Sequence, residues 1–316
     1  MIFCSTNKFI TRFRYECILI FSLICLFLFA GCSSLYSKNK KSGNVTIKNS
    51  DLVKKVGIAI FKNKTSFKDR SYEKVFQDYL VESITDSCSD ILLVKPGDAG
   101  YPDFLVKLPM NETESIDNLA LAQLGRQAGM NAIVTGEIMG ITGKEEKRGI
   151  IFFKDLRQFI YFQVKIEVYD TGTGVKLIDE RYSEEIEIDE LELELIKKKE
   201  IVSMSEVDDV FLKISEEIGE KICNAVNMPP WQGYITSVTE NNIIISSGKK
   251  VGLVPGVVLE VFTTGEIIEG VDGHRFFTPG HKTGEVKLTT VYADSCEAIL
   301  YTGSDIMEGC RVKIKK

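Results

Sequence analysis

Apolar and polar positions change period several times along this chain, and each change predicts an element. In VKKVGIAIFKNKT, Val56, Ile58 and Ile60 interleave with Gly57 and Ala59, which predicts a buried strand ending in a loop at Asn63-Lys64-Thr65. SYEKVFQDYLVESITD spaces Val75, Tyr79, Leu80 and Ile84 as a helix does. DILLVKPG, bounded by Asp90 and Pro96, predicts a short strand. IDNLALAQLGRQAGM puts Leu119, Leu121, Leu124 and Ala128 on one helical face, with Gly129 as the stop. NAIVTGEIMGIT reads as another strand. Within residues 156–169, Phe162, Val164, Ile166 and Val168 face one way. Asp170-Thr171-Gly172-Thr173-Gly174 then turns the chain, and VKLIDERYSEEIEI returns as the hairpin partner. VDDVFLKISEEIGEKICNAV repeats apolar groups at Val210, Phe211, Ile214, Ile218, Ile222 and Val226, a closing amphipathic helix.

Met228-Pro229-Pro230 marks a change of texture, because consecutive prolines stop a helix and stiffen the link. Beyond it come short apolar runs split by Gly, such as WQGYITSVTE, NNIIISSG, VPGVVLEVFTTG and GCRVKIKK, with no helical period. The pattern predicts an α+β protein. A layered α/β domain over 51–228, with a mixed sheet and flanking helices, precedes a small SH3-like β-barrel over 229–316.

Ahead of the first strand the pattern has another meaning. Lys8, Arg12 and Arg14 face a single acid, Glu16, and an uncharged apolar run of about 14 residues follows from Cys17 to Ala30. Spanning a bilayer as a helix takes about 20 residues, so the run suits a secretory signal. It ends Leu28-Phe29-Ala30-Gly31-Cys32, which resembles the bacterial lipobox. The resemblance implies cleavage after residue 31, acylation of Cys32 and attachment to a bacterial membrane through that lipid. Ser33 at the next position implies the outer membrane, facing the periplasm. Residues 32–50, rich in Ser, Lys, Asn and Gly, are expected to be a flexible tether.

The net charge of −6 argues against nucleic acid as a partner, since phosphate binding needs concentrated Lys and Arg. Beyond Cys32 the thiols are Cys88, Cys223, Cys296 and Cys310, none in a Cys-x-x-Cys pair. Cys296 and Cys310 are candidates for a disulfide in an oxidising compartment, whereas Cys88 and Cys223 sit in helical contexts that suit buried free thiols. Catalytic chemistry is not found. The two histidines, His274 and His281, share a Gly- and Pro-laced loop with Asp272, which reads as a solvated hairpin rather than a metal site. No Gly-x-Ser-x-Gly occurs, and Thr-Gly-Thr-Gly lacks the helix and Lys of a phosphate loop. YSEEIEIDELELELIKKKE alternates acids with Ile and Leu, as a strand entering a one-sided helix does. No cofactor, metal or catalytic residue is expected. The aromatics of IIFFKDLRQFIYF exceed the needs of one strand face. Phe152, Phe153, Phe159 and Tyr161 are therefore either core or a surface for a partner or a second copy.

VGIAIFKNKT, LGRQAGMNAIVTGEI and VYDTGTGVKL together resemble a superfamily of periplasmic domains. It includes the N-terminal domain of the Tol-Pal translocation protein B, the curli secretion lipoprotein and lipoprotein activators of peptidoglycan synthases. Gly233-Tyr234-Ile235, the stretch from Gly248 to Gly256, Gly284-Glu285-Val286 and Gly309-Cys310-Arg311-Val312 resemble the C-terminal domain of flagellar assembly protein T, with Cys310 where that family usually has Asp. These resemblances imply a non-catalytic, lipid-anchored envelope protein, an assembly or adaptor factor with periplasmic protein partners. An oligomeric secretion component related to the curli channel is the alternative. A cell-wall enzyme comes third, for want of a nucleophile, base or metal shell.

Overall fold

A mixed sheet organises the first part of the folded chain, and it forms because alternate positions of its strands are apolar on both faces. The computed structural model describes residues 45–67, 71–150, 152–199, 204–240, 242–270 and 273–315. Six strands take part: β1 (Lys54–Ile58), β2 (Lys62–Asn63), β3 (Ile91–Val94), β4 (Ala132–Ile150), β5 (Phe153–Asp170) and β6 (Lys176–Ile188). Their order is β3-β1-β4-β5-β6, with β2 paired to β4. β1 runs parallel to both β3 and β4, while β4, β5 and β6 are successively antiparallel.

Helices cover both faces. Val134 and Val168 enter a cluster with Phe76, Leu80 and Ile84 of α1 (Tyr72–Ser87) and Val210, Phe211, Ile214, Ile218 and Ile222 of α5 (Met204–Asn227). Their neighbours Ile133 and Tyr169 point the other way, onto Leu105 of α2 (Asp103–Val106) and Leu121 of α3 (Asn118–Gln127). The Phe211 ring is the hub of the larger cluster, 5.2 Å from Phe76 and edge-on to Phe162 at 5.7 Å. The two covering helices meet at Gly219, where a Cβ would lie 2.1 Å from Ser83 Oγ.

The cysteine expectation is corrected. Cys88, at the C-terminal end of α1, is bonded to Cys223 of α5 with Cα atoms 5.7 Å apart, while Cys296 and Cys310 are free buried thiols. The bond follows from helix packing that brings two sequence-distant turns side by side. Cys296 opens β13 (Cys296–Gly303) and Cys310 precedes β14 (Arg311–Ile314), and β7 (Gly233–Val238) and β8 (Ile243–Ile245) stand between those strands. At about 4.8 Å per strand interval, that separation exceeds the roughly 7 Å limit for a disulfide. Burial pushes the Cys296 thiol up to about 12.

The remaining strands of the barrel are β9 (Val258–Phe262) and β12 (Lys282–Val291), and it closes in the order β12-β13-β8-β7-β14-β9. Trp231, Ile235, Leu259, Val286, Ala298 and Val312 fill its interior. One stretch expected within it departs: β10 (Ile267–Glu269) and β11 (Arg275–Phe277) form a separate hairpin whose Phe277 packs on Leu119 and Ala122 of α3. The described end of the expected tether is also held, since Val45 bridges to Val257 and Ile47 packs, partly buried, against the barrel interior.

Sheet and barrel belong to one compact unit, Asn44–Lys316, and a polar seam joins them. Arg126, only 4% exposed, donates from Nε to the carbonyl of Thr171 at 2.8 Å and from Nη2 to that of Gly172 at 2.6 Å. Its guanidinium lies 3.7 Å from the centre of the Phe277 ring and 5.5 Å from that of Tyr234. Asn131 Nδ2 donates to the carbonyl of Gln232 at 2.7 Å. Gly129, the predicted helix stop, has φ +69°, and a Cβ there would fall 1.8 Å from the Ser246 carbonyl oxygen. The disulfide makes a measurable difference: closing a loop of 135 residues is worth about 5 kcal/mol on the chain-entropy account. Reduction, or Cys223→Ser, should therefore lower the melting midpoint by roughly 10 °C. Identical midpoints with and without reductant would show that the bond contributes nothing.

Candidate docking hairpin

β4 and β5 remain paired far beyond the core, from Ala132 opposite Asp170 to Ile150 opposite Phe153. The third strand stops earlier, because β6 ends with Ile188 opposite Gln158. The five pairs from Glu146–Arg157 to Ile150–Phe153 therefore form a two-stranded ribbon with no neighbour in the sheet. At about 3.4 Å per residue it projects about 17 Å past the end of β6. An isolated two-stranded ribbon is marginal in water, so its base needs bracing.

Each face of the base has its own brace. On one side lies α4 (Glu190–Lys197), started by a capping box in which Glu192 N–H donates to Asp189 Oδ1 at 2.7 Å and Asp189 N–H donates to Glu192 Oε2 at 3.1 Å. Leu193 and Ile196 are buried against Gly143, where a Cβ would lie 2.5 Å from Leu193 Cδ1. Lys197 Nζ reaches Glu145 at 2.9 Å. On the other side Arg148 clamps two carboxylates. It donates from Nη2 to Glu146 at 2.8 Å and to Glu185 on β6 at 2.7 Å, with Nη1 also on Glu185. Its guanidinium covers the Phe159 ring at 3.9 Å, and Tyr161 Oη donates to Glu146 at 2.6 Å.

These contacts shift the titrating groups. The Tyr161 hydroxyl and then Arg148 hold the Glu146 carboxyl below its ordinary value, and Arg148 does the same for Glu185. The bond to Glu146 pushes Tyr161 up to about 12.

The four aromatic candidates separate accordingly. Phe159 is 5% exposed beneath Arg148 and Tyr161 is half-buried in the clamp, so neither offers an apolar surface to a partner. Phe152 and Phe153, at 91% and 83% exposure, stand at the tip with Ile150 at 79% and Leu156 at 53%. Leucines at single exposed sites are ordinary, but two aromatic rings and an isoleucine together at the end of a projecting ribbon are not. Ile150 and Leu156 were not among the sequence candidates; the signal for Ile150 was the unbroken apolar run that it opens, whereas Leu156, set between Asp155 and Arg157, carried none.

Cys32 and Asp272 lie outside the described residues. Among the described residues no cluster of three or more His, Cys, Asp or Glu could hold a metal ion. His274 lines a charged cleft in which Lys64 pairs with Glu137 at 2.9 Å and Lys165 and Lys176 both pair with Glu167. Burial alone would raise the Glu167 carboxyl, but the two lysines outweigh it and hold it down. His281 instead sits beside Thr263, to whose hydroxyl its backbone N–H donates at 3.2 Å. The acidic run after Tyr182 is β6 passing into α4, with Asp189 as the cap. No described helix is long and apolar enough to cross a membrane.

No protein-family model matches the chain, and no curated protein matches it. Among solved structures it is similar to a hypothetical protein from Chlamydia trachomatis, at 13% identity over 54% of this chain and 99% of that one, with a TM-score of 0.32. A lipoprotein from Neisseria meningitidis matches at 8% identity over 52% and 97%, with a TM-score of 0.28. TolB from Acinetobacter baumannii matches at 13% over 81% of this chain and 58% of that one, with a TM-score of 0.27. At such scores these likenesses assign no function.

The clamp gives the hairpin a pH dependence. Carboxylates held below their ordinary value stabilise fully above about pH 5 and lose that contribution as pH falls below the ordinary glutamate range. Amide protection over residues 146–157, corrected for intrinsic exchange rates, should fall between pH 6 and pH 3.5. Arg148→Ala should give the same loss at pH 7. Equal protection at both pH values would remove the clamp's role.

Proposed function

We propose that the chain is a non-catalytic protein of the cell envelope, anchored by lipid at Cys32 in the outer membrane and facing the periplasm. It acts there as an assembly or adaptor factor for an envelope machine, with flagellar or cell-wall machinery as the two candidates. The observation that carries this reading is the projecting hairpin: Phe152 and Phe153 are presented to the surroundings by a braced ribbon. A fold that holds large apolar side chains about 17 Å beyond its own sheet is suited to contact rather than to turnover. Lipid at Cys32 gives one attachment, the folded unit offers surface to periplasmic protein partners, and the tip supplies a further contact with the envelope. The six-stranded barrel is proposed as a member of the SH3-like class, in keeping with its sequence resemblance to the flagellar assembly domain.

A ring-forming secretion component is the second reading, favoured by the length of β4 and β5, since membrane-crossing strands need about 9–11 residues. The ribbon opposes it. Lys144, Glu146 and Arg148 occupy one face and Glu145 and Lys147 the other, leaving no uninterrupted apolar band. Ring particles in detergent extracts, seen by electron microscopy, would establish that alternative.

The adaptor reading is tested in cells with the full chain. Crosslinking followed by mass spectrometry should recover defined envelope partners. Phe152→Ser with Phe153→Ser should lower that recovery at least fivefold while labelled fatty acid at Cys32 is unchanged. Recovery independent of both phenylalanines would take the hairpin out of the function.

A further inference from the structure

We propose that the component engaged by the hairpin tip is a bilayer surface carrying anionic headgroups, into which Ile150, Phe152 and Phe153 insert as far as the acyl–headgroup boundary. This rests on the contact role assigned to the tip above and names what it touches.

Three features of the ribbon point to a lipid surface. The first is its sequence of environments. The tip pair Ile150–Phe153 is followed, three residues back along the ribbon, by the pair Lys147–Leu156. That spacing is about 10 Å, the depth to which interfacial elements bury their apolar faces. Lys147 and Lys154 flank the apolar end, both exposed and both without an ion pair among the described residues. Long cationic stems of this kind lie along an apolar layer with the ammonium at the headgroups.

The second feature is charge. The chain carries −6 overall, yet its projecting stretch reverses sign, with Lys147, Arg148, Lys154 and Arg157 against Glu146 and Asp155. Since Arg148 is occupied by the clamp and Arg157 pairs with Glu187 at 3.2 Å, the free attraction comes from the two lysines beside the rings. An acidic body with a basic, aromatic end presents only that end to an anionic membrane.

The third feature limits the depth. The apolar end is far shorter than the 9–11 residues of a membrane-crossing strand, and the charged clamp at Glu146 and Arg148 stops entry just behind it. The tip is thus an interfacial anchor, and together with the lipid at Cys32 it sets the orientation of the folded unit over the bilayer. A second copy is a poorer fit. Two tips meeting end to end would bring the exposed Lys147 and Lys154 of each copy against the same lysines of the other, and like charges repel.

The test uses the compact unit 44–316, whose hydrophobic clusters close within it, so that acyl chains cannot contribute. It should sediment with vesicles of phosphatidylethanolamine and phosphatidylglycerol, and far less with phosphatidylcholine alone. Phe152→Ser with Phe153→Ser should weaken this about a hundredfold, tenfold per ring, with an unchanged melting midpoint. Lys147→Ala with Lys154→Ala should weaken it roughly twenty-fivefold on the anionic vesicles only. Phe152→Trp should shift to the blue on binding and be quenched by shallow spin-labelled lipid, against a constant background from the buried Trp231. Three results would overturn the proposal: no sedimentation with anionic vesicles, sedimentation indifferent to both phenylalanines, or a lipid-free dimer that requires them. If vesicle binding fails while the double serine variant still loses partners in cells, the tip meets a protein, and the adaptor reading stands without this one.

Discussion

The β4–β5 ladder is the constraint on which the rest of this molecule depends. Its inner half is the middle of the sheet, closed on both faces by helices and held by the Phe211 hub. Its outer half leaves the core without a break in pairing, apart from one irregularity between Ile138 and Gly140. The apolar tip is therefore an extension of the most deeply buried strands, not a loop hung on the surface. A lever of this kind transmits position only if its root is stiff. Here the root is gripped by α4 on one face and by the Arg148 clamp on the other.

The segments around Arg126 and Thr171 that carry the sequence resemblance have a structural role here. Arg126, Gly129, Asn131 and Thr171 meet the barrel at the polar seam, and Asn118 donates to the carbonyls of Gly174 and Arg275. Arg126 is buried without an ion pair among the described carboxylates, and its charge is met by backbone carbonyls and two aromatic rings. Burial lowers its proton affinity, but an arginine starts so high that it keeps its charge. Such a joint fixes the barrel against the sheet by geometry, so the two halves move as one.

How much of this was legible depended on whether burial imposed a period. The closing helix shows every predicted apolar position buried, from Val210 to Val226, because one face of it meets the sheet. The strands containing Val134 and Val164 were equally plain. The outer ribbon was not, since both its faces are wet and GKEEKRG carries no alternation; its register is held by backbone pairing and by charges across the strands. Phe159 could not be sorted from the exposed rings for a related reason: nothing in sequence marks a ring that is buried under an arginine. The cysteine pairing was illegible because it depends on the crossing of two helices far apart in the chain.

That crossing also bears on how the molecule comes into being. Cys88 and Cys223 are consecutive among the thiols of the folded unit, and Cys296 and Cys310 follow both. For a polypeptide threaded amino end first into an oxidising space, an oxidant joining sulfurs in order of arrival makes the native link at once. The later pair is withdrawn into the barrel as it closes. Under the proposed acylation the sulfur of Cys32 is also out of the competition, and biogenesis along this route then needs no reshuffling enzyme.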